Sequence, residues 1–235
     1  MVKSYSQRRT ARRAPQTRVP RRRTSRADPR DGQTEQRILD AAHAVFVRAG
    51  TAGARTQEIA KEAGVNSALL HYYFRTKERL AAAVFTRAAS QLFPRVLRIL
   101  ASDAALEDKV EQVVEVEIDR LSRAPYLPAY ILSELAHHPE RAPQLAAAMG
   151  VVPAEVGATV FGTLRKQIDA QVRAGRMRPV APEQFVVNLL ALCVFPFAAR
   201  PMLMAVIGID QAGFNQFIDR RRKELAPFLL RALRP

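Results

Sequence analysis

A chain of 235 residues and 26.2 kDa is long enough to bury a sizeable core, in one large or two small domains. Its single cysteine, Cys193, excludes an internal disulfide and a cysteine-based zinc site, and suits a reducing, cytoplasmic compartment. The net charge of +15 is concentrated: residues 1–30 hold eleven Lys/Arg against Asp28 alone, so +10 falls there and only +5 on residues 31–235.

Residues 1–31 are rich in Arg, Ser, Thr and Pro without apolar periodicity, which predicts a disordered arm. An Arg-rich arm favours a polyanion (DNA, RNA or an acidic membrane) through counterion release, without selecting among them. Such a composition also resembles an organelle transit peptide, but no apolar stretch follows the charges, so no secretory signal is expected. From Thr34, Ile38, Ala42, Val45, Phe46 and Ala49 recur at helical spacing, and Gly50 offers a left-handed stop. A short second helix is predicted from about Thr56, with Ile59, Ala60 and Ala63 inward. Gly64-Val65-Asn66 breaks it, a third helix runs Ser67 to Phe74, and Thr76 caps a fourth with Glu78 in its first turn.

Beyond residue 80 the pattern remains helical. The segments are 77–100 (kinked or broken at Pro94), 105–123, 128–137, 140–149, 153–174, 182–197 and 210–231, separated at prolines and glycines. No stretch alternates with a period of two for long enough to make a strand, so the expected fold class is all-α. The longest apolar run, Leu189 to Ala199, contains Pro196 and lies between Asn188 and Arg200. It is too short to span a bilayer, and no membrane role is expected.

Residues 55–74 carry helix-turn-helix logic. Ile59, Ala60, Ala63 and Val65 form the inner face and turn plug, Gly64 permits the sharp turn, and Leu70 and Phe74 anchor the second helix four residues apart. Ser67, Ala68, His71 and Tyr72 are left outward, with Leu69 and Tyr73 at the margins. A short helix with small residues at its tip and polar or aromatic ones behind suits a major groove. Tyr72-Tyr73 would also serve as ordinary core aromatics, and residues 31–80 are nearly charge-balanced. The small polar face beside a +10 arm favours DNA.

Ala63-Gly64-Val65-Asn66, then Leu70-His-Tyr-Tyr-Phe74, Thr76-Lys77-Glu78 and Leu80, resembles the tetracycline-repressor (TetR) family of one-component regulators over about residues 34–85. The resemblance implies a helix-turn-helix head at 32–92 and a helical ligand-binding and dimerisation body at 93–235. It implies that Ser67, Ala68, Leu69 and His71 face base edges and that Tyr72 and Tyr73 contact phosphate and sugar. Lys77, at a helix N-terminus, would meet a phosphate, and Arg55, Thr56 and Asn66 complete the DNA-binding set. Ala54-Arg55-Thr56 stands where the family usually has a Thr/Ser pair, and His71 where it usually has an aromatic.

In the 105–123 helix, Val110, Val113, Val114, Ile118 and Leu121 form one apolar face with Glu117 in its middle. A buried carboxylate needs a partner, such as Arg165 or His137, or else a cavity and a ligand. The resemblance places an effector pocket in the body's central helices, where Phe93, Val113, Glu117, Leu121, Tyr126, Tyr130, Phe161 and Leu164 are the candidates, each also a plausible core residue. His137 and His138 are adjacent and point to different faces, so no metal is expected, nor any cofactor. The 182–197 and 210–231 helices resemble the family's dimerisation pair. Phe185, Leu189, Leu192, Val194 and Phe195 make the first apolar nearly all round, while Arg220 to Lys223 interrupt the second.

The expected function is a ligand-responsive regulator, a repressor by resemblance, released from a pseudo-palindromic operator by a small molecule. The alternatives are a non-specific nucleic-acid binder acting through its arm, and an enzyme. Against an enzyme, the sequence shows no nucleophile–base constellation, no Gly-rich phosphate loop, no metal-ligand spacing and no paired carboxylates.

Overall fold

The computed structural model describes residues 29–91, 94–150 and 152–235. The basic arm up to residue 28 and the candidate Phe93 therefore lie outside the described residues. Among those described, every regular element is helical.

The first four helices are α1 (Pro29–Gly53), α2 (Thr56–Glu62), α3 (Ser67–Phe74) and α4 (Lys77–Ser90). Helix α1 starts at Pro29, five residues before the apolar pattern does, and Pro at a first turn costs nothing because its missing N–H would be unpaired anyway. Gly50 adopts φ +67, as its position predicts, but one more turn follows, closed by Ala54 N–H donating to the Gly50 carbonyl at 3.1 Å. Helix α2 ends in a Schellman motif: Val65 N–H donates to the Ala60 carbonyl and Gly64 N–H to that of Lys61. Gly64 sits at φ +63, and an added Cβ would also press the Arg37 guanidinium at 3.3 Å.

The chain continues through α5 (Pro94–Ala101), α6 (Leu106–Arg123), α7 (Leu127–His137), one 3₁₀ turn and α8 (Ala142–Ala148). Pro94 thus opens a new helix and does not merely kink a long one. The stretch expected as one helix from 153 is α9 (Pro153–Val156), a π-turn over Gly157–Phe161 and α10 (Gly162–Arg173). Helices α11 (Pro182–Ala198) and α13 (Gln211–Ala232) match their expected segments. Between them lies α12 (Arg200–Ile207), which the sequence reading passed over as a connection. It starts with Pro201 in its first turn and ends at Gly208 with φ +73, both usable helix-boundary signals. Asp210 caps α13 by accepting the Gly213 amide at 2.8 Å.

Two apolar cores result. The first joins Ile38, Phe46, Ile59, Leu70, Leu80 and Phe85 of the head to Leu127, Tyr130 and Ile131 of α7. It therefore crosses the division expected near residue 92. The second lies between α6, α10, α11 and α13, around Leu121, Leu164, Phe185, Leu189, Phe214 and Leu225. Lys109 is wholly buried at its edge and donates to the Leu100 carbonyl (2.9 Å) and Gln167 Oε1 (2.8 Å). Burial lowers the pKa of that ammonium.

Candidate nucleic-acid interface

Helix α3 is only eight residues long, so its stability comes from its caps and its packing. Asn66 Oδ1 accepts the Leu69 amide at 2.8 Å, satisfying one of the unpaired donors of the first turn. Leu70 and Phe74 are buried at 1% and 6% exposure and fix the helix from behind. Ser67, Ala68, His71 and Tyr72 face solvent, Tyr72 at 69% exposure, while Leu69 and Tyr73 are half-buried. The division of the helix into faces is that expected from the sequence. Tyr73 packs against the first core and meets Tyr72 edge to face at 5.4 Å.

His71 Nδ1 lies 3.1 Å from the Arg75 carbonyl. A carbonyl only accepts, so Nδ1 carries the proton, and in the tautomer protonated there alone Nε2 is an acceptor. Behind it, Phe74-Arg75-Thr76 turns sharply, with Arg75 at φ +60 and ψ −53 and Thr76 N–H returning to the Phe74 carbonyl at 2.5 Å. This is a γ-turn of the rare positive-φ kind, on a non-glycine residue. Thr76 Oγ1 then caps α4 by accepting the Arg79 amide at 3.2 Å. The Glu78 carboxyl is held below its usual range, chiefly by its own backbone amide at the helix start and next by the Thr76 hydroxyl.

Other assigned residues have structural duties. The Lys77 ammonium donates to the carbonyls of Ala52 (3.1 Å) and Ala54 (3.3 Å), tying α4 to the loop before α2. Arg55 occupies the N-cap of α2 without a side-chain cap bond and is exposed, while Thr56, next to it, is half-buried. Arg37, which sequence reasoning passed over, donates to the Ala63 carbonyl at 2.7 Å and that of Gly64 at 3.2 Å, clamping the turn between α2 and α3. Arg48 bridges from α1 to Glu58 and Glu62.

The body candidates separate into two groups. Val113, Leu121 and Leu164 are sealed in the second core, and Phe161 is half-buried against it. Glu117 is buried as expected, but its partner is neither Arg165 nor His137. Arg120, one turn along the same helix, donates to it with Nε at 3.2 Å, while Arg165 pairs with Glu183 and His137 meets the Ser133 carbonyl. The i,i+3 spacing made Arg120 the nearer choice. Burial still raises the Glu117 carboxyl above its ordinary value, with Arg120 opposing.

Tyr126 and Tyr130, by contrast, line a cleft of 730 Å³ between the end of α1, α7 and the α11–α12 corner. Tyr126 also borders a second cleft of 480 Å³ with His43, Asp40 and Arg87. The His43 ring packs edge-on against Tyr126 at 5.0 Å and tilted against Tyr130 at 5.5 Å. Three further residues join head to body here: the Thr51 hydroxyl and the Arg141 guanidinium both donate to Glu134, and Arg141 lies 5.8 Å over the Phe85 ring. Nothing in the sequence spacing of 51, 134 and 141 signals that meeting.

Head, γ-turn and exposed α3 face together define a helix-turn-helix DNA-binding protein on a helical scaffold. Residues 38–84 match the model of the bacterial regulatory proteins of the tetR family. The chain is 26% identical over 201 residues to the HTH-type transcriptional repressor NicS of Pseudomonas putida, covering 84% of this chain and 89% of NicS. It is 25% identical over 202 residues to the HTH-type transcriptional regulator RutR of Escherichia coli, with the same coverage. Among solved structures, SCO4942 from Streptomyces coelicolor superposes with TM-score 0.54 at 26% identity, over 86% of this chain and 99% of that one. The hemolysin II regulator HlyIIR shares the fold with TM-score 0.55 at 22% identity, over 87% and 99%. The chain is similar to TetR-family transcriptional regulators, with the match to the family model lying in its head. Among its described residues no single helix is long and apolar enough to cross a membrane.

Proposed function

We propose that the chain represses transcription in the cytoplasm as a homodimer, holding a pseudo-palindromic operator until a small molecule releases it. One observation carries the reading: Ser67, Ala68, His71 and Tyr72 form an exposed face on a helix that Leu70 and Phe74 clamp from behind. An exposed short helix with a small-residue tip enters a major groove, and its aromatic flank reaches phosphate and sugar. Leu69, Tyr73, Arg55, Thr56, Asn66 and Lys77 are assigned to the same contact as margin and support. Lys77 acts mainly by holding the α2 entrance in place, since its ammonium already serves two carbonyls. The relative NicS, named a repressor, supports the sign of regulation.

Pairing is assigned to α11 and α13. Val187, Ala191 and Phe195 recur every four residues along α11 and stay exposed, Val187 at 59% and Phe195 at 53%, and Phe228 of α13 is likewise 55% exposed. An apolar stripe of that length on a monomer marks an interaction face, and two-fold pairing sets two α3 helices on one side of DNA. Selection of genomic fragments on the purified full chain is the test. A recurrent inverted repeat is expected, lost in Tyr72→Ala together with Ser67→Ala. Fragments without any shared sequence would overturn the reading and leave charge-driven binding.

A further inference from the structure

We propose that the 730 Å³ cleft between α1, α7 and α12 is the effector site, and that it takes an amphipathic anion: a flat apolar body bearing one carboxylate or sulfonate. This deepens the proposed repressor function and rests on it for the regulatory consequence only.

The cleft has the size of small-molecule sites generally. Phe46, Val47, Tyr126, Ala129, Phe197 and Met204 give it apolar and aromatic walls. Three polar groups converge on it. The Tyr130 hydroxyl is buried without a hydrogen-bond partner, on a residue only 7% exposed, and an orphaned buried hydroxyl costs stability until something bonds to it. Glu134 also borders the cleft, but Arg141 and Thr51 already engage its oxygens. Arg200 has no ion pair with any described residue and lies 5.3 Å over the Phe214 ring at the cleft wall. Charge at the cleft is therefore unspent on the cationic side. An apolar body in the walls, an anion on Arg200 and an acceptor for Tyr130 would complete the two groups that remain open.

Occupancy is read directly by the head, because Phe46, Val47 and Gly50 are the end of α1 itself. A ligand that fills the cleft and crowds Glu134 favours a state in which α1 has shifted from α7. Its effect on DNA is bounded by its preference for that state.

The test uses two dyes of one shape: 8-anilinonaphthalene-1-sulfonate, and uncharged N-phenyl-1-naphthylamine. Fluorescence titration of the full chain should show one sulfonate dye bound per protomer. Arg200→Gln should weaken that dye at least tenfold and leave the neutral dye unchanged, and Tyr130→Phe should weaken binding modestly. Ala129→Trp, or Met204→Trp should the first lose its helical circular dichroism, should expel both dyes. Unchanged binding of both dyes in Arg200→Gln, or in the tryptophan variants, overturns the site. Retention of a selected fragment, measured in parallel, should fall as the sulfonate dye is added. A dye that binds as described but leaves retention unchanged overturns the regulatory half. A chain that binds the dye but selects no fragment keeps the site and loses the operator reading.

Discussion

Thr51, at the end of the first helix, donates its hydroxyl to Glu134, 83 residues further along the chain, and the same carboxylate is ion-paired with Arg141. Both charged partners are more than nine-tenths buried. Their value to stability as a pair is small, but losing one partner leaves the other charged and dry. Glu134→Ala should therefore cost about 3 kcal/mol in urea unfolding. Thr51→Val, which removes one charge-assisted hydrogen bond and keeps the shape, should cost about 1–2 kcal/mol. Equal costs for the two variants would show that Arg141 does not depend on Glu134.

His43 makes the fold sensitive to mild acid. Burial lowers its pKa below the ordinary histidine value, helped by Arg87 of α4 and opposed by Asp40 of its own helix, with the Tyr126 and Tyr130 rings packed on it from α7. The unfolded chain takes up this proton near pH 6.5, where the folded chain still resists it. Its stabilising contribution is complete above that pH and declines as pH falls through the lower folded value, by at most about 1.4 kcal/mol per pH unit. Thermal melts between pH 7 and 5 should show this decline, and His43→Asn should flatten it. An unchanged slope in the variant assigns the acid sensitivity elsewhere.

On the exposed side of α3, the Nε2 of His71 is an acceptor in the tautomer that carries its single proton on Nδ1, facing the Arg75 carbonyl. It suits an amino group on a base edge, that of adenine or cytosine. His71→Ala should relax preference at one position of each half-site, with a loss of about 1–3 kcal/mol against the favoured base. Tyr72→Ala should weaken all sequences alike, since a phosphate or sugar contact carries no base information. Selection profiles of the two variants separate these roles, and identical profiles would show that neither residue reads sequence.

The Arg75 turn holds a non-glycine residue at φ +60, where side chains meet the backbone. Arg75→Gly relieves that conflict and should stabilise the fold by about 1 kcal/mol, visible as a higher Tm. A lower Tm would mean that the Arg75 side chain contributes more than its backbone costs.

The sequence by itself determined the elements and their inward faces. Gly64, Asn66 and Thr76 act through neighbours within four residues, and the 3.6-residue repeat that places Leu70 and Phe74 together records which side of a helix is buried. That is why the α3 surface was legible down to the half-buried margins at Leu69 and Tyr73. Tertiary structure alone decided what meets across long separations. It set Arg37 on the α2–α3 turn, Thr51 on Glu134, and Tyr126 with Tyr130 at a cleft walled by α1, while Val113, Leu121 and Leu164 closed into solid core. Periodicity says that a side chain faces inward. Whether that interior is filled or hollow depends on how several helices approach one another, and no local pattern encodes that.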